Sequence, residues 1–281
     1  MRVLVAGGSG TVGRRLLPLL LRAGHHVTGT ARHAPSAARI GALGAEPVVM
    51  DATDEVQVDA VVRLTQPDAI IHQLTSLTGG SVEENARLRI LGTANLVAAA
   101  QRYTVSRIVV QSIAWAYAPG PSPATEDVPL DLDAAAQRSV TVGGIRSLES
   151  SATKLDEHVV LRYGALYGPG TWYAPGGLVS QRIAAGTLAA TPAVTSFLHV
   201  DDAAAAAVLA LEWPSCTVNI VDDDPASGTR WVPAIAREFG LPSPALQSES
   251  APWERGASNA WARKKLGWEP RLPSWTHGFT P

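Results

Sequence analysis

Apolar residues recur along the first two-thirds of the chain in two rhythms. Short, mostly β-branched runs at Arg2–Ala6, His26–Thr30, Glu46–Met50, Ala69–His72, Arg107–Gln111 and His158–Arg162 predict strands. Most are near-continuous rather than alternating, the pattern of a strand covered by helices on both faces. Between them, apolar positions at helical spacing predict helices over Thr11–Ala23, Glu55–Leu64, Val82–Gln101 and Ala134–Ser151. Strand and helix in regular alternation predict a parallel sheet assembled from βαβ units. Beyond Tyr163 the rhythm loosens, punctuated by Gly168-Pro169-Gly170, Pro175-Gly176-Gly177 and Pro242-Ser243-Pro244. Shorter helices are predicted at Gly177–Ala185, Asp201–Leu211, Thr229–Phe239 and Ser258–Leu266. The last has Ser258 to cap its start, Lys264 and Lys265 for its C-terminal dipole, and Gly267 to stop it.

The first strand runs directly into Gly7-Gly8-Ser9-Gly10-Thr11-Val12-Gly13. Gly7 permits a tight turn, and Gly10 lets backbone approach a pyrophosphate. Gly13 lets the following helix pack close, with its positive end toward the phosphates. Placement between a strand and an amphipathic helix is the context this motif requires. It predicts a dinucleotide cradle of Gly7, Ser9, Gly10, Thr11, Val12 and Gly13, against the alternative of a ligand-free glycine turn. The second strand leads into Ala31-Arg32-His33, so a basic residue stands where an acid would bind a ribose 2′-hydroxyl. Arg32, with Arg39 or His33 as a second contact, predicts NADP(H). Asp51 falls where the adenine would lie, and Asp54 reads as the cap of the next helix. Gln73, Leu74 and Thr75 follow the fourth strand and are expected beneath the pyrophosphate through their backbone. The fold class is therefore α/β, a Rossmann-type doubly wound parallel sheet over residues 1–165. Residues 166–281 are expected to form a smaller substrate or lid region that returns segments to the main domain.

Composition narrows the function further. At 281 residues, 46% hydrophobic and 17% charged, the chain has enough apolar residues for a large soluble core. A net charge of −2 supplies no basic field for nucleic acid or an anionic membrane. The apolar opening is too short for a signal peptide and no run approaches ~18 apolar residues, so a cytoplasmic protein is expected. Cys216 stands alone, which excludes an internal disulfide and a cysteine-rich metal site. Asp222-Asp223-Asp224 reads as a solvated turn, and His199 with Asp201 and Asp202 as a structural strand end. No metal is expected. The expected partner is a small-molecule substrate, and a homodimer is compatible.

Several further segments carry a family likeness: Leu91-Gly92-Thr93-Ala94-Asn95-Leu96, Arg107–Ser112, Leu161–Gly170, Phe197–Asp202, and Ser258 through Trp268. With the glycine motif they resemble the extended and atypical short-chain dehydrogenase/reductases, particularly the NAD(P)-dependent epimerase/dehydratase group, over almost the whole chain. The resemblance implies an oxidoreductase-type enzyme with Tyr163 and Gly164 in the loop closing over the nicotinamide.

The chain departs from that group at its chemistry. No tyrosine has a lysine four residues after it, and the implied positions hold Thr141 and Ile145. In the family the lysine lowers the tyrosine pKa and holds the ribose; isoleucine does neither, and threonine is a poor acid. The serine or threonine expected four residues before Tyr117 is Ile113, with Ser112 one residue early. Arg89 replaces a helical asparagine, and Ala165 replaces an asparagine common in nucleotide-sugar enzymes. Ser112 and Thr141 are left as catalytic candidates.

Trp115, Tyr117, Tyr167, Trp172 and Tyr173 occupy positions that the resemblance places toward the nicotinamide, which suits a planar or apolar substrate; core packing is the alternative for each. Three readings follow. One is an NADPH-dependent ketone or enone reductase with a non-standard proton donor, acting on a small apolar or aromatic specialised metabolite. The second is a non-redox cyclase, isomerase or dehydratase that retains NADP(H). The third is a non-catalytic NADP(H) sensor.

Overall fold

The computed structural model describes residues 1–75 and 81–279. Strands β1 (Arg2–Ala6), β2 (His26–Ala31), β3 (Glu46–Val49), β4 (Ala69–His72), β5 (Arg107–Ile113), β6 (Glu157–Tyr163) and β10 (Cys216–Ile220) form a seven-stranded sheet. Its order, β10-β6-β5-β4-β1-β2-β3, is the doubly wound arrangement the alternation predicts. Pairing is parallel from β3 through β2, β1 and β4 to β5, and it sets His72 opposite both Ala6 and Val110. The intervening helices are α1 (Gly13–Arg22), α2 (Ala34–Gly41), α3 (Glu55–Thr65), α4 (Val82–Arg87), α5 (Thr93–Arg102) and α6 (Ala136–Ala152). The predicted helix Val82–Gln101 is interrupted by a π turn at Leu88–Gly92. Hydrophobic period alone is blind to a single inserted residue. Helix α2 lies in a stretch where no element was predicted.

The remaining elements are β7 (Ala165–Tyr167), α7 (Leu178–Ala184), β8 (Val194–Thr195), β9 (Phe197–His199), α8 (Val200–Leu209), β11 (Ala226–Ser227) and α9 (Gly228–Glu238). The predicted C-terminal helix is mainly a π turn, Ala262–Leu266. Gly267 closes it in the left-handed region at φ +63°, and the Ser258 hydroxyl accepts the Ala260 N–H at 3.2 Å. None of the described helices is long and apolar enough to cross a membrane.

The chain divides into two compact units. One comprises Met1–Ser112, Leu132–Leu161 and Ala204–Thr217; the other Ile113–Asp131, Arg162–Ala203 and Val218–Pro281. The core of the first is aliphatic: Leu4, Ile70, Ile108 and Val110 from strands meet Val58, Leu96 and Leu148 from helices. Each such side chain contributes about 1.5–3 kcal/mol on burial. The core of the second is aromatic, built on Tyr167, Phe197, Trp231, Trp275 and Phe279. Phe197 sits at its centre, edge-on to Tyr173 at 5.2 Å and to Trp231 at 5.7 Å. Edge-to-face pairs of this kind add about 0.5–1.5 kcal/mol each beyond burial.

Candidate functional site

The loop after β1 has no room for side chains where a dinucleotide would need backbone. Gly7 adopts φ +91°, and a Cβ there would lie 2.9 Å from the Gln73 carbonyl. A Cβ on Gly13 would lie 2.3 Å from the Gly7 carbonyl oxygen, so helix α1 starts hard against the turn. The Gly10 N–H donates to the Gly7 carbonyl at 3.0 Å, and Gly8 N–H to Thr30 O at 3.0 Å, which fixes the loop onto β2. Ser9, Thr11 and Val12 complete it. Helix α1 has no side-chain cap and no acidic residue in its first turn, so no side chain opposes an anion at its positive dipole end. Gln73 is buried below Gly7, with its N–H on Ala6 O at 2.8 Å. Leu74 and Thr75 follow, half-buried. This backbone cradle fits a dinucleotide pyrophosphate.

Arg32 is the first residue beyond β2 and is exposed. Arg39 is held by Ser36, its guanidinium donating to that hydroxyl at 2.8 Å. The Asp51 carboxylate is closed on its own loop, accepting from Thr53 N–H at 2.8 Å and Thr53 O–H at 2.9 Å. Asp54 caps α3 as expected, accepting from Val56 and Gln57 N–H groups.

His72, at the end of β4, and Arg89, in the π turn, are both buried, and nothing local in the sequence links them. His72 is fully buried. Its Nδ1 accepts the Leu74 N–H at 3.1 Å, so the ring proton is on Nε2, 2.9 Å from the Thr93 hydroxyl. Burial, and the nearby charge of Arg89, push its pKa down to about 4, so the ring is neutral at physiological pH. Arg89, in the π turn, is only 5% exposed. Burial lowers its pKa to about 10, which still leaves it charged. A histidine closing an apolar strand, and Arg89 in place of the asparagine that the resemblance implies, were the sequence signals for this cluster.

The catalytic candidates are separated. Ser112 is wholly buried and donates to Glu149 Oε1 at 2.6 Å. Thr141, Ile145 and Glu149 share one face of α6 at four-residue spacing, all nearly buried. Eight helical steps, roughly 12 Å of rise, separate Thr141 from Glu149. The structure thus brings Ser112 to Glu149 and keeps it away from Thr141.

Within the second unit the predicted substrate aromatics split into two kinds. Trp115 and Trp172 are 42% and 39% exposed. Tyr117 and Tyr167 are buried and occupied. Tyr117 donates to Asn219 Oδ1 at 2.6 Å beneath the Arg162 guanidinium, 4.7 Å above its ring, and burial raises its pKa to about 12. Tyr167 packs against His199 at 5.0 Å and Phe279 at 5.4 Å. Tyr163 donates its hydroxyl to Ala203 O at 2.9 Å, and Gly164 gives its N–H to Ile220 O at 3.1 Å. The acidic trio is not a solvated turn. Asp222 is 1% exposed and accepts the Trp275 N–H at 3.0 Å, while Asp223 pairs with Arg263 and Asp224 with Arg230. Local composition could not show that these carboxylates meet a distant segment. Among the described residues no group of three or more His, Cys, Asp or Glu side chains is placed to hold a metal ion.

Comparison with known proteins bears on both units. Residues 3–220 match the model of the NAD dependent epimerase/dehydratase family. A "3-diazoavenalumate denitrifying reductase" from a Streptomyces species is 41% identical over 99% of both chains. A 4-hydroxy-2-methyl-3-oxo-4-farnesyl-3,4-dihydroquinoline-1-oxide ketoreductase from Stigmatella aurantiaca is 34% identical over 39% of this chain and 32% of its own. Among solved structures, Bordetella bronchiseptica WbmG in complex with NAD and UDP superposes with TM-score 0.79 at 21% identity, covering 99% of this chain and 92% of that one. The UDP-glucose 4-epimerase of Thermotoga maritima gives 0.78 at 21%, covering 99% and 96%. The fold is therefore shared with enzymes solved with NAD or nucleotide sugars.

Proposed function

The chain belongs to the NAD dependent epimerase/dehydratase family and is an enzyme that uses a nicotinamide cofactor; from that premise we propose an NADPH-dependent reductase acting on a small aromatic specialised metabolite that carries a diazo group. The observation behind this reading is the 41% identical denitrifying reductase, taken together with Thr141 and Ile145 where the family has its acid/base pair. A bound dihydronicotinamide supplies hydride, and hydride plus an aryl diazonium balances to aryl–H plus dinitrogen with no proton consumed. Carbonyl reduction, by contrast, leaves an alkoxide that a tyrosine must protonate. Replacing that tyrosine and lysine is thus compatible with a reductase whose leaving group departs as a neutral gas.

The chain's own contributions are binding and placement. The glycine loop and the positive end of α1 hold the diphosphate, Gly7 and Gly13 keep side chains out of its way, and Arg32 pairs with a 2′-phosphate. Asp51 borders the adenine, and Gln73 to Thr75 line the floor toward the nicotinamide ribose. Tyr163 and Gly164 hold the closing loop by their own hydrogen bonds. Ser112 orients the buried Glu149 carboxylate, and Thr141 offers a hydroxyl but is not required as an acid. Trp115 and Trp172 present exposed indoles for a planar ring, with Tyr117 and Tyr167 fixing the scaffold behind them.

The test is NADPH oxidation followed with dinitrogen release, using an aryl diazonium beside a panel of ketones and enones. One dinitrogen per NADPH consumed, with slow or absent turnover of the carbonyls, is the expected result. Carbonyl turnover without any on the diazonium would return the assignment to a ketoreductase, a reading the partial match to the Stigmatella ketoreductase favours.

A further inference from the structure

An unpaired cation deep in a protein is costly unless something neutralises it. Arg89 is such a group. It is only 5% exposed and makes no hydrogen bond or ion pair among the described residues. Burial lowers its pKa, with no neighbouring negative charge offsetting that among the described residues. It stands in the π turn Leu88–Gly92, a distortion that re-aims side chains and recurs at functional sites.

Its placement points to a ligand. Arg89 is close enough to His72 for its charge to act on that ring, and His72 lies in register with Ala6, the residue before the glycine turn. His72 cannot serve as the counter-ion. It is neutral, with Nδ1 taken by Leu74 and Nε2–H directed at Thr93. The neighbouring helix gives a second bearing. Gly144 is packed so tightly on Ala86 that a Cβ would come within 3.1 Å of its Cα. Ala86 lies one turn before Arg89, and the π turn that carries Arg89 packs on α6, the helix of Gly144 and Ile145. Ile145 is the position where the resemblance calls for a lysine. A cation has been lost from α6 and another stands on the adjoining π turn.

We propose that Arg89 is an oxyanion-binding residue of the dinucleotide site, holding either a phosphate oxygen of the bound cofactor or a carboxylate of the substrate. The inference rests on the dinucleotide reading of the glycine loop. Guanidinium suits the task because its planar fork of donors meets two oxygens at once and stays charged where a lysine would titrate.

Titration of NADPH and NADH into wild type, Arg89→Lys and Arg89→Met, with thermal melts of each apo protein, tests it. Arg89→Met should melt at or above wild type, since an uncompensated buried charge is removed. If the oxyanion is a cofactor phosphate, the same variant should bind both nucleotides about 10- to 100-fold more weakly, with Arg89→Lys intermediate. If it is a substrate carboxylate, nucleotide affinity holds. KM then rises about 10-fold or more for a carboxylate-bearing aryl diazonium and not for its methyl ester. Wild-type values for nucleotides and both substrates in Arg89→Met would overturn the proposal while leaving the dinucleotide site standing. A lower melting point with unchanged affinities would likewise overturn it, as a purely structural role. Failure of wild type to bind either nucleotide would remove the underlying reading as well.

Discussion

The loop after β1 is made of residues with almost no side chain, and the core of the second unit is made of the largest side chains the protein has. The first is shaped by backbone: a helix dipole, and glycines whose Cβ atoms would collide with Gln73 and Gly7. In the second, shape is set by rings stacked edge to face around Phe197, with Asp222, Asp223 and Asp224 tying distant strands of chain together. A backbone site depends on local sequence and tolerates drift elsewhere. A side-chain site depends on which residues the fold assembles, and this is where the chain differs from its family.

The contrast can be broken most severely at the loop itself. Gly13→Val forces a branched side chain into a space already closed at 2.3 Å, and NADPH titration should show binding lost, roughly 100-fold or more. Phe197→Ala attacks the other region. It should cost about 3–5 kcal/mol of stability in a denaturant melt, while the protein that remains folded keeps its nucleotide affinity. A matching loss of NADPH affinity would show that the two regions are not separable. Arg32→Asp is gentler and more specific: NADPH affinity should fall about 10- to 100-fold and NADH affinity should hold or improve. Equal loss of both would end the 2′-phosphate argument.

Acidity distinguishes the regions at smaller amplitude. Burial raises the Asp222 pKa to about 8, far above that of an unfolded aspartate at about 4. The native state therefore holds a proton that the unfolded chain has released. This contribution to stability is complete below about pH 4 and is lost as the pH rises through about 8. Thermal melts of wild type should decline across that interval, and Asp222→Asn should flatten the curve. Smallest of all is Thr141→Ala. Turnover within about 2-fold of wild type is expected if no proton is delivered to the product, whereas a drop of about 100-fold would make Thr141 the acid after all.

Strand positions, the glycine turn and the cap at Asp54 were legible because each depends on neighbours within a few residues. The loss of the tyrosine and lysine was equally plain, since an absence can be read at Thr141 and Ile145 without a structure. Ser112 was a different matter. Its facing depends on how β5 meets α6, and only the packed helix shows its proton committed to Glu149. Tyr117 and Trp115 read alike as aromatic residues two apart, yet one is buried on Asn219 and the other exposed. By itself the sequence determined a doubly wound dinucleotide fold and the missing acid/base pair, because hydrophobic period and glycine spacing are local properties. Tertiary structure alone decided that Arg89 is buried with no hydrogen-bond or ion-pair partner among the described residues, that His72 is neutral, and that Asp222 is withdrawn from water. Burial is a property of everything packed around a residue, and no window of sequence contains it.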